Sequence, residues 1–188
     1  MRVIAGKYCS RPLRSLRGMD VRPTSDRLRE TLFNVLTGGN PDALAGSVWL
    51  DLFAGTGAVG IEALSRGARE VYFVESSSAA AGVVRANLKS LGIEEGFEIL
   101  EREASVALRR LDSQAVVFDY CFLDPPYKND SAYEETLGFL SQSQAVKPST
   151  LVVAEHDKRF DPGERFGALE RFRKLQQGDA ALSFYRLK

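Results

Sequence analysis

The chain has 188 residues, enough for one domain that buries about 70% of the surface exposed by its unfolded form. Its composition, 44% hydrophobic and 27% charged, excludes a disordered, collagen-like or low-complexity protein. Basic and acidic side chains number 25 each, which argues against a surface that is basic throughout but not against segregated charge.

Cysteine usage and hydropathy limit the cellular context. Cys9 and Cys121 are far apart, without neighbouring Cys or His, so we expect neither a disulfide scaffold nor a metal site. Residues 1–7 contain no apolar stretch typical of a signal peptide, and no window approaches the ~18 consecutive apolar residues of a membrane span. We therefore expect a cytoplasmic protein that has no membrane partner.

The N-terminal part of the chain predicts a basic extension. The first 20 residues alternate apolar and basic side chains, a pattern typical of short strands or a hairpin with a basic face. Proline and hydroxyl residues at 22–26 then indicate a helix start, because a periodic apolar stripe follows and ends at 38–41. We divide the chain into an extension at 1–40, hairpin plus helix, and a main domain at 41–188.

From residue 47 onwards, short apolar runs alternate with helical stretches. The pattern predicts strands at 48–53, 70–75, 97–100, 116–123 and 151–154, and helices at 58–65, 79–91, 104–111 and 132–140. Such alternation indicates an α/β fold with a mostly parallel, doubly wound sheet. The segments 169–175 and 181–187 predict a C-terminal antiparallel hairpin, and Trp49 and Cys121 fall at core positions of their strands.

A glycine-rich loop follows the first predicted strand. Gly55, Gly57 and Gly60 match G-x-G-x-x-G, and Glu75 ends the next strand, where it can accept hydrogen bonds from ribose hydroxyls. The pattern indicates a nucleoside-bearing cofactor, either a dinucleotide or S-adenosylmethionine. Asp51 favours the second, because a carboxylate beneath the loop repels a pyrophosphate and attracts the ammonium of a methionine moiety. Gly60 alone is also typical of simple helix packing.

A second motif, Asp124-Pro125-Pro126-Tyr127, closes the strand at 116–123 and so falls at the carboxyl edge of the sheet, where ligands of open α/β folds bind. The two prolines fix the backbone and leave carbonyls free to accept hydrogen bonds. Asp124 and the Pro125 carbonyl can accept both hydrogens of an exocyclic amine while Tyr127 stacks on its base. The motif therefore predicts a site for a planar base that carries an amino group.

The order of these motifs resembles the amino-methyltransferases that use S-adenosylmethionine. The segment Arg22-Pro23-Thr24-Ser25-Asp26-Arg27-Leu28-Arg29-Glu30-Thr31-Leu32-Phe33-Asn34 is similar to the opening of the RsmD family, the 16S rRNA guanine-N2 methyltransferases, and the resemblance covers nearly the whole chain. It implies a Rossmann-like class I methyltransferase fold and methyl transfer to the exocyclic N2 of one guanine in a partly assembled small ribosomal subunit. We expect a monomer that methylates by direct displacement.

The resemblance also implies roles for individual residues. The cofactor-binding set is Asp51, Phe53, Ala54, Gly55, Thr56, Gly57, Glu75, Ser76, Glu103 and Ala104, with Glu101 the alternative to Glu103 for adenine. The catalytic set is Asp124, Pro125, Pro126 and Tyr127. The set expected to face substrate RNA contains Arg22, Thr24 and Arg27, which the resemblance implies, and Arg11, Arg14 and Lys128, whose charge and position suit contact with phosphates. We expect no metal, and a structural or surface place for His156 rather than a catalytic one.

Other functions fit parts of this pattern. A DNA or other RNA amino-methyltransferase, acting on adenine N6 or cytosine N4, would share both motifs, and a dinucleotide-dependent oxidoreductase or a non-catalytic RNA-binding module would share the fold. The charge distribution favours RNA: residues 1–30 carry eight basic and three acidic side chains, a net charge of +5, and the remainder carries −5. We therefore expect the basic arm to bind RNA phosphates with a strong dependence on salt.

Overall fold

The predicted alternation of strands and helices is confirmed in a computed structural model that describes residues 1–15, 25–126 and 129–188. Within these ranges the helices are α1 (Asp26–Thr37), α2 (Ala58–Ser65), α3 (Ser78–Leu91), α4 (Ala104–Ser113) and α5 (Asp130–Leu140). The strands are β1 (Val48–Leu52), β2 (Glu70–Val74), β3 (Phe97–Leu100), β4 (Phe118–Leu123), β5 (Val146–Asp157), β6 (Arg165–Phe166), β7 (Leu169–Gln177) and β8 (Ala180–Leu187).

All the described strands belong to one sheet, ordered β3-β2-β1-β4-β5-β8-β7-β6. The strands from β3 to β5 are parallel, and β8, β7 and β6 continue the sheet antiparallel, which confirms the doubly wound sheet and its C-terminal hairpin. The order reverses between β1 and β4, where ligands of such sheets bind at the carboxyl edge. No helix in the described part of the chain has the length and apolarity to cross a bilayer.

The predicted strands agree with the observed ones to within two residues at each end, except for β5, and β6 is additional. β4 starts at Phe118 rather than at 116, and Val117 just before it is 41% exposed. β5 has 12 residues rather than four, because its first residues add a polar, exposed stretch to the apolar run at 151–154. The two-residue β6 was not predicted, since two residues carry no periodicity.

The helices cover the sheet in two layers. Side chains of α1, α2 and α3 pack on one face with Trp49, whose ring stacks on Phe33 at 5.5 Å and on Tyr120 at 4.5 Å between centroids. Side chains of α4 and α5 pack on the other face with Cys121, where burial raises the pKa of the thiol. Both residues are core, as predicted. Ser25 caps α1 by accepting the Leu28 amide at 3.1 Å, which confirms that helix start.

The N-terminal segment packs against α2. In place of regular strands, the described part of the predicted hairpin has one antiparallel bridge, between Arg2 and Pro12. Val3 and Leu13 are buried in the core under α1, α2 and α3. The buried carboxylate of Glu62 on α2 accepts the amides of Ile4 at 2.7 Å and Ala5 at 3.0 Å. Residues 1–15 thus share the core of the main body, and the boundary at residue 40 stays a prediction.

Candidate active site

The glycine loop joins β1 to α2 at the carboxyl edge of the sheet. Three of its residues have left-handed backbone: Phe53 at φ 61°, Gly55 at 56° and Gly57 at 74°. A Cβ on Gly57 would lie 3.1 Å from a methyl carbon of Val84, so the loop needs glycine there for space as well as conformation. Phe53 has no such freedom, and a strained residue of this kind is typical of a functional site.

Asp51 lies beneath this loop, as its position in the sequence predicts. The side chain is 2% exposed, and its Oδ2 accepts the Gly60 amide in the first turn of α2 at 2.9 Å. Burial raises the pKa of this carboxyl to about 8; the Gly60 amide opposes the rise and the charge of Glu75 adds to it. Gly60 itself is a packing position, because a Cβ there would lie 2.3 Å from the Phe73 ring.

Glu75 links the ends of β1 and β2. Its two carboxylate oxygens accept the Gly55 amide and the Ser77 amide, each at 2.8 Å. The bond to Gly55 fixes the acid against the glycine loop, next to the position expected for a ribose. Ser76 follows at the exposed start of the turn into α3.

The second motif lies next to the glycine loop. Asp124 follows β4, and its amide approaches the Leu52 carbonyl at 3.4 Å. Pro125 is buried and Pro126 exposed; the Pro126 carbonyl accepts the Asn129 amide at 2.9 Å, whereas within the described ranges the Pro125 carbonyl accepts no hydrogen bond. Burial, then the charges of Glu155 and Asp51, raise the pKa of the Asp124 carboxyl.

Glu155, which was not predicted as a site residue, lies beside Asp124. Leu123 of β4 pairs with Ala154 of β5, so Asp124 and Glu155, which follow them, are neighbours across the two strands. Glu155 is 2% exposed, and its backbone carbonyl accepts the Tyr133 hydroxyl at 2.8 Å. An acid directly after an apolar strand, the pattern that identified the other carboxylates, was present here too. Among the described residues, no set of three or more His, Cys, Asp or Glu side chains is arranged to hold a metal ion.

A cavity of about 530 Å³ opens beside the loop, between α4 and α5. Phe53, Glu103 and Ala104 are among the residues that line it. Glu101 is engaged elsewhere: it accepts the Ser78 hydroxyl and the Arg85 guanidinium. The geometry therefore favours Glu103 over Glu101 for contact with a ligand in this cavity.

Asn87, also missed from the sequence, ties the glycine loop to the N-terminal segment. It is fully buried on α3, and its Nδ2 donates to the Thr56 carbonyl at 2.9 Å and to the Arg14 carbonyl at 3.2 Å. Its Oδ1 accepts the Arg14 amide at 2.7 Å. A polar residue within the apolar stripe of a helix is the signal, because buried amides are almost always hydrogen-bonded.

The described residues among those expected to face RNA lie in the N-terminal segment and in α1. The side chains of Arg11, Arg14 and Arg27 are exposed, and Arg11 also donates to the Ser90 carbonyl at 2.8 Å. Tyr127, Lys128, Arg22 and Thr24 lie outside the described residues. His156 is buried and hydrogen-bonded to the Asp157 carbonyl and the Ser183 hydroxyl, each at 2.9 Å, a structural place as predicted.

Known proteins resemble the chain along nearly its whole length. Residues 1–186 match the family model described as conserved hypothetical protein 95. A Haemophilus influenzae protein named ribosomal RNA small subunit methyltransferase D is 36% identical over 159 residues, covering 84% of this chain and 79% of the relative. The Escherichia coli K12 protein of that name is 32% identical over 84% of this chain and 75% of its own length. A solved Escherichia coli structure, the candidate methyltransferase yhhF, superposes with a TM-score of 0.83 at 27% identity, covering 100% of this chain and 98% of that one.

Proposed function

Since the chain belongs to the RsmD family of S-adenosylmethionine-dependent rRNA methyltransferases, we propose that it methylates the exocyclic N2 of a guanine in 16S rRNA. The observation that carries the proposal is the meeting of two motifs at one sheet edge: the glycine loop over Asp51, and Asp124 with Pro125 on the adjacent strand. A cofactor and an amino-bearing base can therefore lie side by side.

The carboxylates fit a cationic cofactor. Asp51 and Asp124 have raised pKa values, and neither is in an ion pair with another described residue. S-adenosylmethionine, which carries an ammonium and a sulfonium, supplies the electrophilic methyl group. Positive charge beside these carboxyls favours their ionised forms. We assign Glu75, which is hydrogen-bonded to the glycine loop, to the ribose, and Glu103 with Ala104, which line the same cavity as Phe53, to the adenine.

Asp124 and the Pro125 carbonyl hold the amine. The lone pair of a guanine N2 is delocalised into the ring, so the nitrogen is a poor nucleophile, and its positioning can contribute on the order of 7–11 kcal/mol to lowering the barrier. Asp124 stabilises the positive charge that develops on nitrogen and can receive the released proton, which its raised pKa favours. Stacking by Tyr127 remains part of the proposal. The guanine must leave any base stack, which favours a loop or bulge as substrate.

Mapping the methyl group tests the proposal. The protein is incubated with labelled S-adenosylmethionine and small subunits lacking the modification, and the labelled nucleoside is identified by digestion and mass spectrometry. We expect N2-methylguanosine at one position of 16S rRNA. Label on adenine N6, on cytosine N4, in DNA or in protein would refute it.

The setting of the reaction is part of the same proposal. We propose that the protein acts as a monomer in the cytoplasm on a partly assembled small subunit, with residues 1–40 as an RNA-binding extension and residues 41–188 as the catalytic domain. The segregated charge supports this, because net positive charge is concentrated in residues 1–30. RNA contacts are assigned to Arg11, Arg14, Arg22, Thr24, Arg27 and Lys128.

Arg14→Gln tests the basic arm. We expect weaker rRNA binding and a salt dependence reduced by about one unit of log–log slope, because one phosphate contact is lost. Among the described residues, Arg14 is hydrogen-bonded through its backbone alone, to Asn87, so we expect the fold of the variant to be unchanged. Arg69→Gln, an exposed arginine at the amino end of β2, is the matched control. Equal salt slopes for the two variants in anisotropy titrations would contradict the assignment. Deleting residues 1–20 is a poorer test, because Val3 and Leu13 would leave the core.

Asp51→Asn should weaken cofactor binding while stabilising the protein. The folded state holds the Asp51 proton up to a pKa of about 8, whereas an unfolded chain releases it near pH 4. Between these values the folded state binds more protons, so this group lowers stability as pH rises. Asparagine removes that contribution and keeps an oxygen for the Gly60 amide. We expect the melting temperature of the variant to exceed that of the wild type by more at pH 8 than at pH 5, and calorimetry to show weaker S-adenosylmethionine binding. A melting difference that does not change with pH would contradict this.

A further inference from the structure

An aromatic and basic surface lies on β7 and β8, apart from the residues assigned above. Phe172 is 53% exposed, and the guanidinium carbon of Arg186 lies 5.0 Å from its ring centroid. Arg173 is also exposed, with its guanidinium carbon 6.0 Å from the centroid of Phe184. We call Phe172, Arg173 and Arg186 the β7–β8 patch.

An irregularity in β7 produces this surface. Arg171 pairs with Tyr185 of β8 and Arg173 with the preceding Phe184, so Phe172 is an extra residue in the ladder. In a regular strand, neighbouring side chains point to opposite faces. The bulge instead places the consecutive side chains of Phe172 and Arg173 on the same face of the sheet. Both lie beside Phe184: the rings of Phe172 and Phe184 are 6.4 Å apart, and the Arg173 guanidinium contacts the Phe184 ring.

The patch carries positive charge that the protein does not neutralise. Arg171 is bound to Asp161 at 2.5 Å and to Glu164 at 3.4 Å. Across residues 1–15, 25–126 and 129–188, in contrast, neither Arg173 nor Arg186 has a carboxylate oxygen within 4.0 Å. Their guanidiniums are therefore available to an external anion.

The patch faces the same side of the sheet as the catalytic carboxyl. Phe184 belongs to the core cluster that contains Phe122 and Val153. Because side chains alternate along a strand, Asp124 and Glu155, two residues further on, also lie on that side. β7 is three strand spacings from β4, about 15 Å across the sheet at 4.7–4.9 Å per spacing. Through Phe184 and Val153, Arg173 is level with Phe122, two residues before Asp124, which adds about 7 Å along the strands. A nucleic acid strand with one base at Asp124 can continue across this distance.

We propose that the β7–β8 patch is a second RNA-binding surface, where Phe172 stacks on an unpaired base of the substrate and Arg173 and Arg186 bind flanking phosphates. Aromatic rings and guanidinium planes are the usual platforms for unstacked RNA bases. The cores of protein interfaces are larger and depleted of charge, unlike one ring between two arginines. The proposal rests on rRNA as the substrate and is independent of the guanine N2 assignment.

Single substitutions in the full chain test the patch. Phe172→Ala should weaken binding of a labelled 16S rRNA fragment about five- to hundredfold. Arg173→Gln and Arg186→Gln should each lower the salt slope by about one. Lys147→Gln, an exposed lysine at the far end of β5, is the matched control. All variants should bind S-adenosylmethionine and melt like the wild type, and saturating RNA should restore kcat.

The outcomes separate this inference from the proposed function. Patch variants that bind naked rRNA like Lys147→Gln would overturn it. Weaker binding to intact small subunits with unchanged binding to protein-free rRNA would also overturn it, and would assign the patch to a ribosomal protein. If the variants lose RNA affinity but the wild type methylates an atom other than guanine N2, the patch stands and the guanine assignment fails.

Discussion

Asp124→Ala is expected to lower kcat for methyl transfer by on the order of 10²–10⁴-fold, the usual contribution of a positioned acid–base group, while S-adenosylmethionine still binds. Asp124 lies next to the glycine loop, and its raised pKa comes from burial and from two neighbouring acids. In the proposed mechanism, alanine removes the acceptor for the amine and the group that receives its proton. Single-turnover methylation and calorimetry with the cofactor measure the two effects separately.

Two further variants test whether the effect depends on the charge and on the position of Asp124. Asp124→Asn keeps an oxygen that can accept one amine hydrogen but loses the negative charge, so its rate should lie between those of the alanine variant and the wild type. Asp119→Asn, an exposed acid five residues earlier on the same strand, should leave the rate unchanged. A wild-type rate for Asp124→Ala, or equal loss from Asp119→Asn, would remove Asp124 from the mechanism.

The second large effect concerns stability: Glu62→Ala should lower the free energy of unfolding by about 3–5 kcal/mol, as expected when one partner of a buried ion pair is removed. Glu62 is fully buried and accepts the Arg66 Nε at 2.8 Å, besides the amides of Ile4 and Ala5. Arg29, also fully buried, has its Nε 3.9 Å from Glu62, and burial lowers its pKa. The variant leaves this buried guanidinium with Asp26, at 3.0 Å, as its remaining carboxylate partner among the described residues.

Glu98→Ala is the control for Glu62→Ala. Glu98 also pairs with an arginine, Arg110 at 2.9 Å, but both side chains are more than a third exposed. Such pairs contribute about 0–1 kcal/mol. Urea denaturation should therefore separate the two variants clearly, and equal losses would show that the Glu62 network is not a main source of stability.

The strands that position the site could be predicted because their pattern is local. β1 and β2 are apolar runs buried on both faces, and the acids Asp51, Glu75 and Asp124 interrupt or end such runs. In a parallel sheet the carboxyl ends of all strands lie at one edge. The position of each acid at or near the end of its strand therefore predicted that the three lie in one region. The strand prediction was weakest at β6, which is too short for any periodicity.

The contacts that hold the N-terminal segment could not be predicted in this way. Glu62 bonds to residues 57 and 58 positions away, and Asn87 to one 73 positions away. No local periodicity encodes such partners. The sequence does show that a polar group occupies a buried helix position, but which backbone it meets depends on how the segment crosses α2 and α3.

Asn87 links the glycine loop to the N-terminal segment. Its side-chain amide is hydrogen-bonded to the Thr56 carbonyl in the loop and to both the amide and the carbonyl of Arg14. A ligand that orders one of these segments also restricts the other, so the second ligand to bind causes a smaller loss of conformational entropy. Linkage makes the benefit reciprocal: by whatever factor the cofactor tightens RNA binding, RNA tightens cofactor binding. With the cofactor and RNA contacts proposed above, binding both ligands together is then favoured over binding either alone, so we expect the Asn87 amide to promote assembly of the ternary complex.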